Sequence, residues 1–171
     1  MAQPVIAVVD DDQVMLETTG AVLSEEGYEV VSWAEGKTAY DFIRQHIPAL
    51  AIVDLRMEHP QAGWITIHML RLDPRTASIP VLVCTGDADF VRANVRVLRG
   101  NGCDVLLKPF SVDELLSKVT ALLQPVSEHA APPELAAPTA AVRAGVAQLF
   151  HVVSQRGRKT FRRLAFRKHV D

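Results

Sequence analysis

The sequence predicts an α/β fold, a doubly wound sheet of five parallel strands with five helices. Five short runs rich in Val, Ile and Leu occur within the first 124 residues, and segments of helical length separate them. Most of these runs lack alternating polar residues, which is typical of strands buried on both faces. Strand and helix alternate throughout, so right-handed crossovers would place helices on both faces of one open sheet.

The predicted strands are these apolar runs, at residues 5–9, 28–31, 50–53, 80–84 and 105–107. The predicted helices follow them in turn, at residues 14–26, 37–46, 64–72, 90–99 and 111–123. Gly27 stands where a helix commonly ends, and Pro48 and Pro74 follow the second and third helices because proline cannot continue a helix. Ser111 and Glu114 have the spacing of a capping box, which predicts the start of the last helix.

A change in composition after residue 124 divides the chain into three parts. Residues 125–140, "PVSEHAAPPELAAPTA", hold four of the ten prolines and show no apolar periodicity, which predicts a semi-rigid linker. Residues 1–124 then form the folded domain. Residues 141–171 form a C-terminal extension, which is either helical with an interruption at Gly157 or disordered.

Charge is distributed unevenly between these parts. Residues 1–140 contain 10 Lys or Arg and 19 Asp or Glu, whereas residues 141–171 contain 8 basic residues and a single acid. The basic segment has four interpretations: a solubilising extension, a contact with nucleic-acid phosphates, a membrane-surface or partner-binding helix, or a strap that folds back on the acidic part. It is too short for a winged-helix domain, so specific reading of DNA is not expected.

Cysteine usage and hydropathy predict a cytoplasmic protein. Cys84 and Cys103 lie in apolar surroundings without the spacing of metal ligands, so reduced core thiols are expected. The N-terminus lacks the basic region of a signal peptide, and no apolar stretch is long enough to span a membrane.

Residues with distinct chemistry follow four of the predicted strands. In chain order they are Asp10, Asp11 and Asp12, then Asp54, Thr85 and Lys108. Parallel strands bring their carboxyl ends to one edge of the sheet, where ligands bind. Carboxylates gathered there would repel one another unless a hard cation such as Mg²⁺ lay among them. A carboxylate can also attack phosphorus to form an aspartyl phosphate, with an ammonium and a hydroxyl available for the phosphoryl oxygens.

Four motifs occur in the order "VVDDDQ", "AIVDLRM", "VLVCTGD" and "GCDVLLKPFSVDEL". Together they resemble the receiver domain of two-component response regulators, and the resemblance covers residues 4–124. It implies a flavodoxin-like sheet with strand order 2-1-3-4-5. It also implies a signalling switch that is controlled by phosphorylation and changes partner binding, rather than an enzyme acting on other substrates.

The resemblance implies that Asp54 accepts a phosphoryl group from a histidine kinase or a phosphotransfer protein. Asp10 and Asp11 match the acidic pair that binds Mg²⁺, with Asp11 as the direct ligand and Asp10 acting through water. Asp54 and the backbone carbonyl of Arg56 complete the metal site. Asp12 has no such role, and its place before the first helix predicts an N-cap.

The resemblance also implies that Lys108 pairs with the phosphoryl group and that Thr85 supplies the hydroxyl of the switch. The face formed by the fourth helix, fifth strand and fifth helix would then bind an output protein, or a second copy of the chain in a homodimer. Arg92, Arg96 and Arg99 have helical spacing on the fourth helix and form either a solvated face or a contact for an acidic partner.

Three departures from the family pattern affect the switch rather than the phosphorylation site. Val105 stands where these domains commonly have Tyr or Phe. Glu58 follows Met57 where Pro is usual, in a loop one residue longer than expected, and "LRGNGCD" also holds an extra residue. Arg56 and Asp87 occupy positions that tune the lifetime of the phosphoryl group in this family.

An alternative from another class rests on residues 10–14, "DDDQV", which fit the DxDx(T/V) motif of haloacid-dehalogenase-type phosphatases. Those enzymes also form an aspartyl phosphate with Mg²⁺, and Asp10 would then be the nucleophile and Asp12 the general acid. That alternative leaves Asp54 without a role, and no second acidic pair follows a strand after Lys108. A receiver that serves only as a scaffold is disfavoured, because no residue needed for phosphorylation is missing.

Overall fold

The computed structural model describes residues 3–124 of the chain. The predicted linker at 125–140 and the extension at 141–171, including the interruption at Gly157, lie outside the described residues. The proposed domain boundary at residue 124 therefore stays a prediction.

Five parallel strands form one sheet: β1 (Val5–Val9), β2 (Glu29–Trp33), β3 (Leu50–Val53), β4 (Val81–Thr85) and β5 (Cys103–Leu107). Their order is β2-β1-β3-β4-β5, which confirms the order implied by the resemblance. The three central strands are almost wholly buried, whereas the edge strands β2 and β5 expose some of their side chains. Burial on both faces therefore holds for the central strands only, because an edge strand has a neighbour on one side alone.

Five helices connect and follow the strands: α1 (Gln13–Glu25), α2 (Ala39–His46), α3 (Ala62–Leu72), α4 (Ala88–Gly100) and α5 (Val112–Leu123). The helix predicted at 37–46 divides into a 3-10 turn, Gly36–Thr38, and α2. Helices α3 and α4 begin two residues earlier than predicted; for α4 the reason is that Asp87 caps it by accepting from the N–H of Phe90. No helix within residues 3–124 is long and apolar enough to cross a lipid bilayer.

Local capping signals in the sequence are confirmed at the helix ends. The side chain of Ser111 accepts the N–H of Glu114, and the Glu114 carboxylate accepts the N–H of Ser111, which completes the capping box of α5. Gly27 has a φ of 86°, the left-handed conformation that ends a helix at little cost only for glycine. These contacts fix where the chain leaves each helix for the next strand.

The hydrophobic core lies on both sides of the central strands. One cluster joins β1, β3 and β4 with α1 and α5, and includes Ile6, Leu23, Leu82 and Leu115. Helices α2, α3 and α4 contribute fully buried side chains outside that cluster, namely Ile43, Ile67 and Leu98. The sheet is thereby held rigidly, and its carboxyl edge is left as the place where polar groups gather.

The two cysteines are free and buried, as predicted. Burial raises the pKa of the Cys84 thiol to about 12 and that of Cys103 to about 11. Both thiols are therefore protonated at neutral pH and act as small core side chains.

Candidate functional site

Two buried carboxylates lie side by side at the carboxyl edge of the sheet. Asp10 follows β1 and Asp54 follows β3, and these strands pair in register up to Val9 and Val53. The N–H of Asp54 donates to the carbonyl of Val9 at 2.9 Å, which continues the pairing by one residue. Asp10 is 4% exposed and Asp54 is 8% exposed. The register of the sheet thus brings together two acids that are far apart in the sequence.

Asp11 completes a group of three carboxylates. One oxygen atom from each of Asp10, Asp11 and Asp54 lies within 4.8 Å of those of the other two. Partial burial of the Asp11 carboxyl, together with the charges of Asp10 and Asp54, raises its pKa. Like charges that raise a pKa oppose ionisation, and a bound cation would relieve that opposition.

The ammonium group of Lys108 contacts both buried acids. Its Nζ lies 2.5 Å from Oδ2 of Asp10 and 3.0 Å from Oδ2 of Asp54. Burial alone would lower the pKa of Lys108, but its hydrogen bonds to the two carboxylates and their charges outweigh burial and raise it. Lys108 therefore stays charged at neutral pH and offsets part of the negative charge at this edge.

Thr85 ends β4 at the same edge of the sheet and is fully buried. Its Oγ1 accepts the N–H of Asp87 at 3.2 Å, and its carbonyl accepts the backbone N–H of Lys108 at 2.9 Å. The hydroxyl is thus held by the start of the next loop, while the backbone of Thr85 positions Lys108. These contacts connect Thr85 to Lys108, which itself contacts Asp54.

The carboxylate of Asp12 is not part of the group of three acids. Its Oδ1 accepts the N–H groups of Val14 at 2.9 Å and Met15 at 3.3 Å, so it is the N-cap of α1, as predicted. This arrangement argues against the phosphatase alternative, which needs Asp12 as a general acid beside Asp10.

Arg56 contacts the site through its backbone and a neighbouring loop through its side chain. Its N–H donates to Oδ1 of Asp54 at 3.2 Å, so its peptide group lies beside that acid. Its guanidinium lies 2.6 Å from the carboxylate of Asp87. The ion pair was not predicted from the sequence. Its only signal in the sequence is that Arg56 and Asp87 carry opposite charges and each lies two residues after a residue of the predicted site.

Gly63 allows the first turn of α3 to approach the backbone beside Asp54. A Cβ atom at Gly63 would lie 1.9 Å from the carbonyl oxygen of Asp54 and 2.7 Å from the Cα of Leu55. The N–H of Gly63 donates to the carbonyl of Leu55 at 3.3 Å. Gly63 was not singled out from the sequence, because close backbone approach leaves no mark in composition or spacing.

The donor set suits Mg²⁺. Hard cations take oxygen ligands, and Mg²⁺ typically uses one or two carboxylates with waters and phosphate oxygens. Among the described residues, Asp10, Asp11 and Asp54 form the one group of three or more acidic, His or Cys side chains with this spacing. The residues present therefore fit a divalent cation of this kind.

The face formed by α4, β5 and α5 carries two ion pairs. Arg92, Arg96 and Arg99 lie on α4, and Arg92 pairs with Asp89 of the same helix. Across the face, Nζ of Lys118 on α5 lies 2.7 Å from Oδ2 of Asp104 on β5. Two of the three arginines therefore form no ion pair with a described residue.

Comparison with known proteins identifies the family. The family model for the response regulator receiver domain matches residues 6–120. The probable transcriptional regulatory protein TcrX of Mycobacterium tuberculosis is 31% identical over 123 residues, covering 71% of this chain and 51% of that protein. The DNA-binding dual master transcriptional regulator RpaA of Synechocystis is 32% identical over 121 residues, covering 71% of this chain and 49% of that protein.

A solved structure gives the same result. A putative response regulator from Chloroflexus aurantiacus is 30% identical with a TM-score of 0.64, and the match covers 72% of this chain and all of that one. The chain spans about half the length of the curated relatives it matches. Receiver domains are signalling switches controlled by phosphorylation, and this chain belongs to the response regulator receiver domain family.

Proposed function

We propose that Asp54 accepts a phosphoryl group from the phosphohistidine of a partner histidine kinase or phosphotransfer protein. An oxygen atom of Asp54 attacks the phosphorus atom, a P–O bond forms, and the P–N bond to the imidazole breaks. The imidazole leaves with the electron pair of that bond and takes up a proton. The observation that carries this proposal is the contact of Lys108 with both Asp10 and Asp54.

Asp10, Asp11, Asp54 and the backbone carbonyl of Arg56 would hold Mg²⁺. A Mg²⁺ ion held by these residues would neutralise charge on the phosphoryl oxygens. Asp11 is the exposed member and is free to bind the ion directly. Asp10 accepts the N–H of Asp12 at 3.0 Å and contacts Lys108, so it would act on the ion through water.

Lys108 and Thr85 bind the phosphoryl oxygens once the P–O bond to Asp54 has formed. The Lys108 ammonium lies beside the attacking carboxylate and forms an ion pair with the added negative charge. The Thr85 hydroxyl rotates away from the N–H of Asp87 and donates to a phosphoryl oxygen. Water later hydrolyses the acyl phosphate at Asp54, which returns the switch to its starting state.

Phosphorylation then changes the surface of α4, β5 and α5. It replaces the single charge of the Asp54 carboxylate with roughly −1.5 to −2 charges on the acyl phosphate, a net gain of at most about one negative charge. The phosphoryl oxygens beside Thr85 attract its hydroxyl and strain its contact with Asp87. Because Asp87 caps α4, that change is transmitted to the start of the helix. Val105 replaces the usual aromatic residue, so the coupling depends on Asp87 and α4 rather than on a rotating ring.

The output of this switch is binding to a partner through the same face. Arg96 and Arg99 on α4 favour an acidic protein surface, or a second copy of the chain that presents Asp104 or Asp113. The relatives TcrX and RpaA are named as transcriptional regulators, the latter as DNA-binding. The eight basic residues of 141–171 offer a second route, by contact with nucleic-acid phosphates or an anionic membrane surface.

Labelling with a small acyl phosphate tests the proposal. The wild-type chain should acquire label in the presence of Mg²⁺ but not in the presence of EDTA. Hydroxylamine should release the label, as expected of an acyl phosphate. Asp54→Asn should remove the label, whereas Asp12→Asn, which keeps the N-cap, should retain it. Labelling that persists in Asp54→Asn and disappears in Asp10→Asn would favour the phosphatase alternative instead.

A further inference from the structure

Glu58 joins the loop that carries Asp54 to the turn that follows β2. Its Oε2 accepts the N–H of Gly36 at 3.1 Å, and its Oε1 accepts the N–H of Lys37 at 2.8 Å. Both N–H groups belong to the first residues of the 3-10 turn, where backbone donors have no partner within the helix. Two charge-assisted hydrogen bonds, one on each carboxylate oxygen, hold the Glu58 side chain in both position and orientation.

The turn and the loop are also in close contact. Gly36 is buried, and a Cβ atom there would lie 2.7 Å from Cβ of Ala62 and 3.0 Å from Cε of Met57. Met57 lies near the start of the loop and Ala62 begins α3. The turn therefore touches the loop at both of its ends, and the absence of a side chain at Gly36 permits this contact.

The same turn is connected to the strand end that carries Asp10. Nε1 of Trp33 donates to Oγ1 of Thr38, the last residue of the turn, at 2.9 Å. The carbonyl of Trp33 accepts the backbone N–H of Asp10 at 3.2 Å. The turn thus contacts the loop that follows Asp54 directly, and it is connected to the chain at Asp10 through Trp33.

We propose that Glu58 is a positioning residue for the metal site, keeping the backbone carbonyl of Arg56 in place beside Asp10 and Asp11. This inference rests on the proposed function. Glu58 stands where the family commonly has proline, in a loop with one extra residue. A loop that is one residue longer and lacks proline at position 58 has more accessible conformations, and the two hydrogen bonds of Glu58 restrict them.

Calorimetric titration of the full, unphosphorylated chain with Mg²⁺ tests the inference without relying on phosphorylation. Glu58→Gln keeps the shape of the side chain but replaces one acceptor oxygen with an amide NH₂ group. It should raise the Kd for Mg²⁺ about tenfold or more, the range found for lost partners of metal ligands. Glu35→Gln is the matched control, because it removes the same charge from the residue that precedes Gly36. The glutamine also keeps an acceptor for the hydroxyl of Thr38. It should change the Kd by less than about twofold.

A second pair of variants separates the hydrogen bonds from the charge of Glu58. Lys37→Pro removes one N–H donor and leaves Glu58 intact, whereas Lys37→Ala keeps the donor and removes the same positive charge. Lys37→Pro should weaken Mg²⁺ binding and Lys37→Ala should not.

Two outcomes would count against the inference, and they are distinguishable. Wild-type Mg²⁺ affinity in both Glu58→Gln and Lys37→Pro, with normal labelling at Asp54, would overturn the positioning role and leave the proposed function intact. A wild-type chain that binds no Mg²⁺ would overturn the proposed function and the inference together.

Discussion

The guanidinium of Arg56 and the carboxylate of Asp87 lie 2.6 Å apart and join the loop after β3 to the loop after β4. Each residue is the second after a member of the proposed site, since Arg56 follows Asp54 and Asp87 follows Thr85. The Arg56 side chain is 64% exposed, whereas that of Asp87 is 14% exposed. The pair therefore connects the loop after Asp54 to the loop after Thr85 at the protein surface.

Breaking this ion pair should shorten the lifetime of the aspartyl phosphate. Arg56→Ala and Asp87→Asn should each speed dephosphorylation by up to about fivefold, which corresponds to the ~1 kcal/mol upper range for an exposed ion pair. The asparagine side chain can still accept the N–H of Phe90, so the cap of α4 is kept. The decay of label after removal of the phosphodonor measures the rate. The label on the double variant should decay no faster than the label on the faster single variant. If the two single-variant increases in decay rate multiply in the double variant, the two residues act separately.

Replacing Gly63 with alanine should destabilise the domain. The added methyl group would meet backbone atoms of Asp54 and Leu55, which cannot move aside as a flexible side chain could. We expect Gly63→Ala to lower the free energy of unfolding by about 2–3 kcal/mol, measured by urea denaturation. Gly100→Ala is the control, because a Cβ atom there meets nothing within 4 Å and alanine is the better helix former. Equal effects of the two substitutions would contradict the close approach at Gly63.

Removing the Lys108 ammonium should make folding depend on Mg²⁺. Lys108→Met leaves Asp10 and Asp54 buried without their cation, and loss of one partner from a buried ion pair costs about 3–5 kcal/mol. Bound Mg²⁺ would stabilise the folded variant by mass action. Urea denaturation with Mg²⁺ and with EDTA should therefore show a much larger Mg²⁺ effect in the variant than in the wild type. A loss of stability that is the same in both conditions would argue against cation binding by these acids.

His68 should make the domain less stable as the pH falls below its ordinary pKa of 6.5. Burial lowers the pKa of His68, and its Nε2 has no hydrogen-bond partner among the described residues. The unfolded chain then binds this proton more tightly than the folded chain, so stability present above pH 6.5 is lost as the pH decreases through that value. His68→Gln should reduce the slope of unfolding free energy against pH between about pH 7 and 5, by at most ~1.4 kcal/mol per pH unit for one proton. An unchanged slope in His68→Gln would contradict this prediction.

Several features of the fold were predictable because they depend on neighbouring residues. The N-cap at Asp12 and the capping box at Ser111 follow from hydrogen bonds that span two or three positions. The split of the second predicted helix into a 3-10 turn and α2 was missed. The first two N–H groups of the 3-10 turn donate to Glu58, which is distant in the sequence, so the residues near the turn do not reveal this contact.

The meeting of Asp10, Asp54 and Lys108 at one edge of the sheet was predictable, whereas the contacts between their side chains were not. Strand ends carrying Asp10, Asp54 and Lys108 meet because parallel strands share one carboxyl edge. The roles of these residues stay predictions for the labelling experiment.

The sequence by itself determined the alternation of strands and helices, the helix caps and the kinds of residue that follow each strand. These properties depend on spacing along a few consecutive residues. Only the tertiary structure decided that Lys108 contacts both Asp10 and Asp54, and that the Glu58 and Arg56 side chains bind neighbouring loops. Such contacts depend on strand register and on the packing of loops that are distant in the chain. A hydrogen bond or ion pair forms only when two such side chains come within a few ångströms of each other, and spacing along the sequence does not determine that distance.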